Sequence, residues 1–166
     1  MGWVELRSYL LMIQEKMLTL PALLRQLTQD RQEGQRIVFT NGCFDILHRG
    51  HATYLQAAKA LGDKLVVGVN ADASVKRLKG ESRPINREED RAYLLASLAA
   101  VDYVVVFYED TPYELLAEVR PDVLVKGGDY RLEEVIGREF AQEVQLIDFV
   151  DGYSTTRTIQ KMQANE

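Results

Sequence analysis

A Rossmann-like, doubly wound parallel α/β sheet of about five strands, preceded by an N-terminal helical appendage, is the architecture this sequence predicts. Two observations carry it. Short apolar runs rich in β-branched residues recur at 37–39, 65–69, 103–107, 123–125 and 144–147. They are mostly continuous rather than alternating, as in strands buried on both faces. The segments between them carry apolar residues at helical spacing, so crossovers rather than hairpins join the strands. A chain of 166 residues, 46% hydrophobic and 27% charged, has the balance of a globular protein and room for one ordinary core.

The elements follow in order. Residues 3–17 place Trp3, Val4, Leu6, Leu10, Leu11 and Ile13 at roughly helical spacing. Thr19-Leu20-Pro21 reads as a helix start, with Thr19 as cap and proline in the first turn. Leu20, Leu23, Leu24 and Leu27 then form one stripe, which Gln32-Glu33-Gly34 ends. Residues 1–35 are therefore expected to be an appendage that packs on the core or on a second subunit, with the boundary near Gly34. Helices are predicted over 52–61, 72–79, 87–99, 112–119, 132–143 and 155–162, alternating with the strands. In such a sheet, ligands bind beyond the carboxyl ends of the strands, at the switch point.

Composition excludes several classes. The net charge of −5 argues against bulk nucleic-acid binding while leaving room for a local phosphate site. One cysteine, Cys43, forbids an intrachain disulfide and fits a reducing compartment. No apolar run approaches the roughly 20 residues of a membrane span. Glu5, Arg7 and Glu15 interrupt the N-terminus and no small-residue cleavage site follows, so a cytoplasmic protein is expected. Gly42, Gly50 and Gly62 do not make G-x-G-x-x-G, which counts against a nicotinamide enzyme.

Both histidines of the chain, His48 and His51, lie in the segment 39–51, after the first strand and at the start of the next helix. A spacing of three puts both imidazoles on one side of that helix start. Unpaired backbone N–H groups and the positive end of the helix dipole meet there, making a phosphate site to which imidazole can donate, more strongly when protonated. Zinc fits poorly, since Cys43 is the only other soft donor nearby. Cys43 has no signature of a nucleophile.

His48-Arg49-Gly50-His51 resembles the signature of the nucleotidylyltransferase superfamily. The resemblance runs from about Arg36 to Met162 and includes four further blocks: 68–75, Arg83-Pro84-Ile85-Asn86 with Asp90-Arg91, 121–130, and Gly152-Tyr153-Ser154-Thr155-Thr156. Together they look most like the adenylyltransferase domain family of bacterial ADP-heptose synthases. The related glycerol-3-phosphate cytidylyltransferases carry an arginine before the Ser-Thr-Thr that Phe149-Val150-Asp151-Gly152 lacks, and a different loop where this chain has 126–130.

That resemblance implies transfer of the adenylyl group of ATP, with Mg2+, to D-glycero-β-D-manno-heptose 1-phosphate, giving ADP-heptose and pyrophosphate for lipopolysaccharide core synthesis. It makes residues 36–166 the nucleotidylyltransferase domain, His48, His51, Arg91 and Lys79 the catalytic set, and no protein metal ligands. It assigns nucleotide binding to Thr40, Asn41, Gly42, Cys43, Phe44, Gly50, Lys126, Gly127, Gly128, Asp129, Tyr153, Ser154, Thr155 and Thr156. Asp45, Asn70, Asp72 and Lys76 are assigned to the sugar phosphate, with Lys76 and Lys79 both open as phosphate contacts. Each block also has a plain structural reading: Gly127-Gly128 as an ordinary turn, the Ser-Thr-Thr as an N-cap, and the 76–91 cations as a solvated helix face. Expected partners are ATP, a sugar 1-phosphate, a separate heptose kinase and a second copy of the chain, not nucleic acid or membrane. The alternatives are a glycerol-3-phosphate cytidylyltransferase or another phosphomonoester nucleotidylyltransferase and, in another class, a nucleotide-binding regulator without turnover.

Overall fold

The computed structural model describes residues 11–128, 130–148 and 152–163. The N-terminal expectation for residues 3–10 lies outside that range. Residues 11–16 are helical, and Leu18 N–H donates to the Val104 carbonyl at 2.9 Å. Helix α1 (Leu20–Gln32) follows with proline in its first turn. Thr19 sits at its N-cap without a side-chain bond, so Pro21 rather than a hydroxyl cap marks this start.

Strands β1 (Ile37–Gly42), β2 (Lys64–Asn70), β3 (Tyr103–Phe107), β4 (Val123–Gly127) and β5 (Glu143–Ile147) form one all-parallel sheet in the order β3-β2-β1-β4-β5. The chain winds from β1 outward through β2 to β3, then crosses back to β4 beside β1. The switch point therefore lies between β1 and β4. The connecting helices are α2 (Arg49–Lys59), α3 (Asp72–Lys79), α4 (Glu88–Ala96) and α5 (Tyr113–Val119), and α6 (Thr155–Gln163) closes the described chain.

Side-chain alternation splits the core into two layers. Val38, Leu65, Val67, Val69, Val104, Val123 and Val125 face α2 and α4, where Tyr54, Leu55, Ala58, Ala92, Leu95 and Ala96 meet them. Ile37, Phe39, Val66, Val105, Phe107 and Leu124 face α1 and α5, packing on Leu23, Leu27, Leu115, Leu116 and Val119. Of the two placements open to α1, its stripe takes the core of its own chain. Arg31 ties it further, donating to the Val119 carbonyl at 2.5 Å.

Two expectations are corrected. Residues 132–143 do not form a helix; they hold two single 3-10 turns, Leu132–Glu134 and Arg138–Phe140. Gly137 breaks the segment at φ 79°, a conformation that favours glycine, with Leu116 where a Cβ would point. Strand β5 is only half-buried along its length, because it is a sheet edge rather than a core strand. No described helix is long and apolar enough to cross a membrane.

Candidate active site

The turn after β1 folds around the histidine pair. His48 is the N-cap of α2, and its Nδ1 accepts the His51 N–H at 3.4 Å. The acceptor role assigns Nδ1 as unprotonated, leaving Nε2 as the N–H of a neutral ring. The two imidazoles stack at 3.8 Å between centroids and 15° between planes. Phe44 holds the left-handed region at φ 47° and sets its ring edge-on to His51 at 5.4 Å. A side chain in that region costs energy that the surrounding packing must offset. Gly50 leaves room for Tyr153, whose Cβ would lie 3.0 Å from a Cβ at position 50.

A cavity of about 270 Å3 opens here, lined by His48, Gly50, His51, Tyr54, Tyr153, Ser154 and Thr155. The N-termini of α2 and α6 thus share one space. Each helix start leaves backbone N–H groups without helical partners, and both dipoles present their positive ends. Thr155 Oγ1 reaches the Ile46 carbonyl at 3.5 Å, joining the two turns. Ser154 Oγ accepts the Arg157 N–H at 3.4 Å, so the N-cap reading of that block also holds.

Burial, and then the neighbouring His48, depress the His51 imidazole to about 4; burial also lowers His48. Both rings are therefore neutral at pH 7 and offer N–H dipoles rather than cationic donors. His51 Nδ1 is buried without a hydrogen-bond partner in the described protein, a costly state that a ligand or rearrangement would relieve. The sign of the linkage follows. An unfolded histidine near 6.5 takes up a proton before folded His51 does, so stability is lost as pH falls from about 6.5 toward about 4. Thermal melts across that window are expected to fall more steeply for wild type than for His51→Gln; parallel curves would contradict the assignment.

The other predicted residues divide into two groups. Asn41 accepts a hydrogen bond from Lys126 Nζ, linking the ends of β1 and β4 across the switch point. Burial lowers Lys126 to about 8, and its ammonium lies 5.9 Å from the centre of the Tyr130 ring. Gly42 ends β1 under the Phe44 ring, Gly127 ends β4, and Gly128 lies against Asp148. Tyr153 and Thr156 are exposed at the start of α6. Asp129 lies outside the described residues.

The second group faces protein. Thr40 is fully buried and bonds the Tyr54 hydroxyl at 2.8 Å. Arg91 is 0% exposed, and its guanidinium donates to the Asn86 carbonyl at 3.0 Å, the Cys43 carbonyl at 2.6 Å and Asp72 Oδ1 at 2.8 Å. The Asp45 side chain is also fully buried. It accepts from Arg83 Nε at 2.5 Å and from the backbone N–H groups of Ile85 and Asn86 at 2.8 and 2.9 Å. Asn70 Nδ2 donates to Ser74 Oγ. In this structure Arg91 and Asp45 brace the loops around the site, through partners as far as 48 and 41 residues away that composition does not reveal, while Asn70 bonds the Ser74 hydroxyl four residues on. Asp72 is the brace's partner. Lys76 and Lys79 are both exposed on α3. The charge of Lys79 reaches Cys43, together with Arg91 and Arg83; burial nonetheless pushes that thiol up, away from a reactive thiolate. Tyr54, Arg157 and Lys161 also line the cavities and were missed. Tyr54 had a signal, standing three residues beyond His51 on the same helix.

A parallel sheet with a histidine pair at the turn after its first strand defines a Rossmann-like α/β protein whose site sits at the switch point. The family model described as cytidylyltransferase-like matches residues 39–161, and the chain belongs to that family. It is 68% identical over 133 residues to the bifunctional protein HldE of a Nitratiruptor species, covering 80% of this chain and 29% of that one. It is 61% identical over 148 residues to HldE of Helicobacter pylori, covering 89% and 31%. The chain thus spans about three-tenths of the length of these curated relatives. The crystal structure of a lipopolysaccharide core biosynthesis protein from Thermoplasma volcanium superposes with a TM-score of 0.59 at 34% identity, covering 73% of this chain and all of that one.

Proposed function

We propose that this chain transfers the adenylyl group of ATP to D-glycero-β-D-manno-heptose 1-phosphate, releasing pyrophosphate and giving ADP-heptose. The observation that carries it is the cavity shared by the starts of α2 and α6 and floored by two stacked, neutral imidazoles. The identity to HldE over most of the chain supports the heptose substrate. A heptose kinase would supply the acceptor, and a homodimer is our reading of the assembly. We take residues 36–166 to carry the transfer, with α1 packed on the sheet face opposite α2.

The acceptor phosphate is largely dianionic at neutral pH, since its second pKa is about 6. It needs no general base. One of its oxygens attacks the α-phosphorus in line; the new P–O bond forms as the bond to the bridging oxygen breaks and pyrophosphate leaves. Catalysis is then positioning and electrostatics. His48 and His51 N–H groups and the two helix starts stabilise charge on the α-phosphate oxygens. Lys79 is the α3 cation we place nearer the acceptor. Among the described residues no three His, Cys, Asp or Glu side chains are grouped to hold a metal, and the nitrogen donors present suit Mg2+ poorly. Mg2+ therefore enters this reading bound to the triphosphate, as part of the substrate.

The test crosses ATP, CTP and GTP against heptose 1-phosphate, glycerol 3-phosphate and other phosphomonoesters, with Mg2+, following pyrophosphate. Turnover with ATP and heptose 1-phosphate is expected. Preference for CTP and glycerol 3-phosphate would overturn the substrate while keeping the chemistry, and nucleotide binding with no turnover on any pair would overturn the enzyme.

A further inference from the structure

We propose that Arg83 is an acceptor-binding residue: its guanidinium, gripped by the Asp45 carboxylate at Nε, takes the phosphate of the sugar phosphate in the fork of Nη1 and Nη2. The proposal rests on the nucleotidyl-transfer reading and adds a residue to it.

A dianionic acceptor needs cations, and few are free to meet it. Of the residues the resemblance assigns to the sugar phosphate, Asp45 and Asp72 are carboxylates already paired with arginines, and Asn70 bonds Ser74. Arg91 is fully engaged: Nε, Nη1 and Nη2 each donate to a protein oxygen, and its side chain is 0% exposed. Arg83 differs on both points. Its side chain is 15% exposed. Among the described residues its one hydrogen bond runs from Nε to Asp45 Oδ2, so Nη1 and Nη2 are left open. Asp45 also takes the Ile85 and Asn86 N–H groups. A single Nε contact therefore completes the carboxylate, and the fork is surplus to the brace.

Placement says which anion. Arg83 belongs to the segment 80–87 between α3 and α4, and Asp45 stands three residues before His48. The ion pair thus ties an arginine to the histidine turn. Strand order puts β2, which feeds α3, and β5, which feeds α6, on opposite sides of β1. The histidine cavity opens on the α6 side, and in-line displacement brings the acceptor from the other. The charges of Lys79 and Arg83 both reach Cys43, the residue that follows β1. Lys79 has no ion pair with a described residue. An anion arriving there meets two cations. A guanidinium fork matches two phosphate oxygens, and the third is left to attack the α-phosphorus. Because Asp45 already fixes Nε, the fork gives up little freedom on binding.

The decisive measurement is steady-state kinetics of the full chain on ATP and heptose 1-phosphate, with thermal melts beside it. Arg83→Lys is the informative variant, since an ammonium can still pair Asp45 but has no fork. It is expected to keep Tm within about 2 °C of wild type. It should raise KM for the sugar phosphate about tenfold, the size of one charge-assisted contact, with KM for ATP within about twofold. Arg83→Ala should raise the acceptor KM further and also lower Tm. Arg87→Ala, an exposed cation four residues on, should change neither constant. Arg83→Lys that matches wild type in acceptor KM, or matches Arg83→Ala in Tm, makes Arg83 a brace alone and overturns the proposal. So does an Arg83→Ala variant whose KM for ATP rises as much as its KM for acceptor. Wild type that prefers another phosphomonoester corrects the substrate, and the same selective rise on that acceptor keeps the fork. No turnover on any pair sinks the transfer reading. Calorimetric titration with heptose 1-phosphate then decides: binding weakened in Arg83→Lys keeps the fork, and binding that is absent or unchanged overturns it.

Discussion

His51→Ala is expected to lower kcat by about 10²-fold or more, the loss seen when one preorganised donor to a developing oxyanion is removed. The magnitude follows from where the ring sits. His51 is neutral and partly desolvated, so its N–H acts in a medium where electrostatic contacts are stronger than in water, and no water can replace it without reorganisation. Its ring is held by His48 on one face and Phe44 at its edge, so orientation is prepared before substrate arrives. His48→Ala should cost a similar factor in rate, with an added stability loss of about 1 kcal/mol because His48 also caps α2. His48→Asn separates the two: asparagine is a good N-cap, so stability should return while rate does not. Turnover of heptose 1-phosphate gives kcat, and thermal melts give the cap. If both alanine variants kept wild-type turnover, the histidine pair would be structural and the proposed chemistry would have to move elsewhere.

How far the sequence reached depends on the kind of interaction. The strands were legible because β1, β2 and β4 are buried along most of their length and rich in β-branched residues. The histidine turn was legible because residue type, spacing and position agree. Residues 132–143 misled because apolar content mimics a helix, whereas the left-handed Gly137 against Leu116 is a tertiary constraint. Charge partners were illegible for a related reason. The sequence shows a cation near a phosphate site, but not that Arg91 donates to the Cys43 carbonyl 48 residues away. Arg157 and Lys161 show the converse: their spacing was visible, but nothing local says a helix face borders a cavity rather than solvent.

Arg91→Ala should be the most destabilising of the substitutions considered, at about 3 kcal/mol, because it empties a fully buried position and leaves the Cys43 and Asn86 carbonyls without their donor, while the ion-pair partner Asp72 is a third exposed and adds little. The brace joins three loops: the turn after β1 through Cys43, the start of α3 through Asp72, and residue 86. Asp45 fixes that third loop from the other direction through Arg83 and two backbone amides. Burial alone would raise its carboxyl, but the Asn86 and Ile85 amides and Arg83 outweigh it and hold it below the ordinary carboxylate range. Its contribution is therefore present above pH 3.8 and lost as pH falls through the lowered value. For a chain of this size each kcal/mol moves Tm by about 2–4 °C, so Arg91→Ala should drop Tm by roughly 10 °C. The exposed pair Arg36–Glu143, 49% and 42% exposed, is the internal control, since such pairs contribute about 0–1 kcal/mol. Arg91→Lys should recover only part, because one ammonium cannot reproduce a fork that serves three acceptors at once. A Tm for Arg91→Ala within about 2 °C of wild type would contradict the brace. Arg91→Lys matching wild type in both Tm and kcat would assign the residue a point charge and return it to the phosphate-contact role. The expected pattern, lowered Tm with a raised KM for acceptor, instead makes Arg91 a positioning residue whose effect reaches substrate through the start of α3.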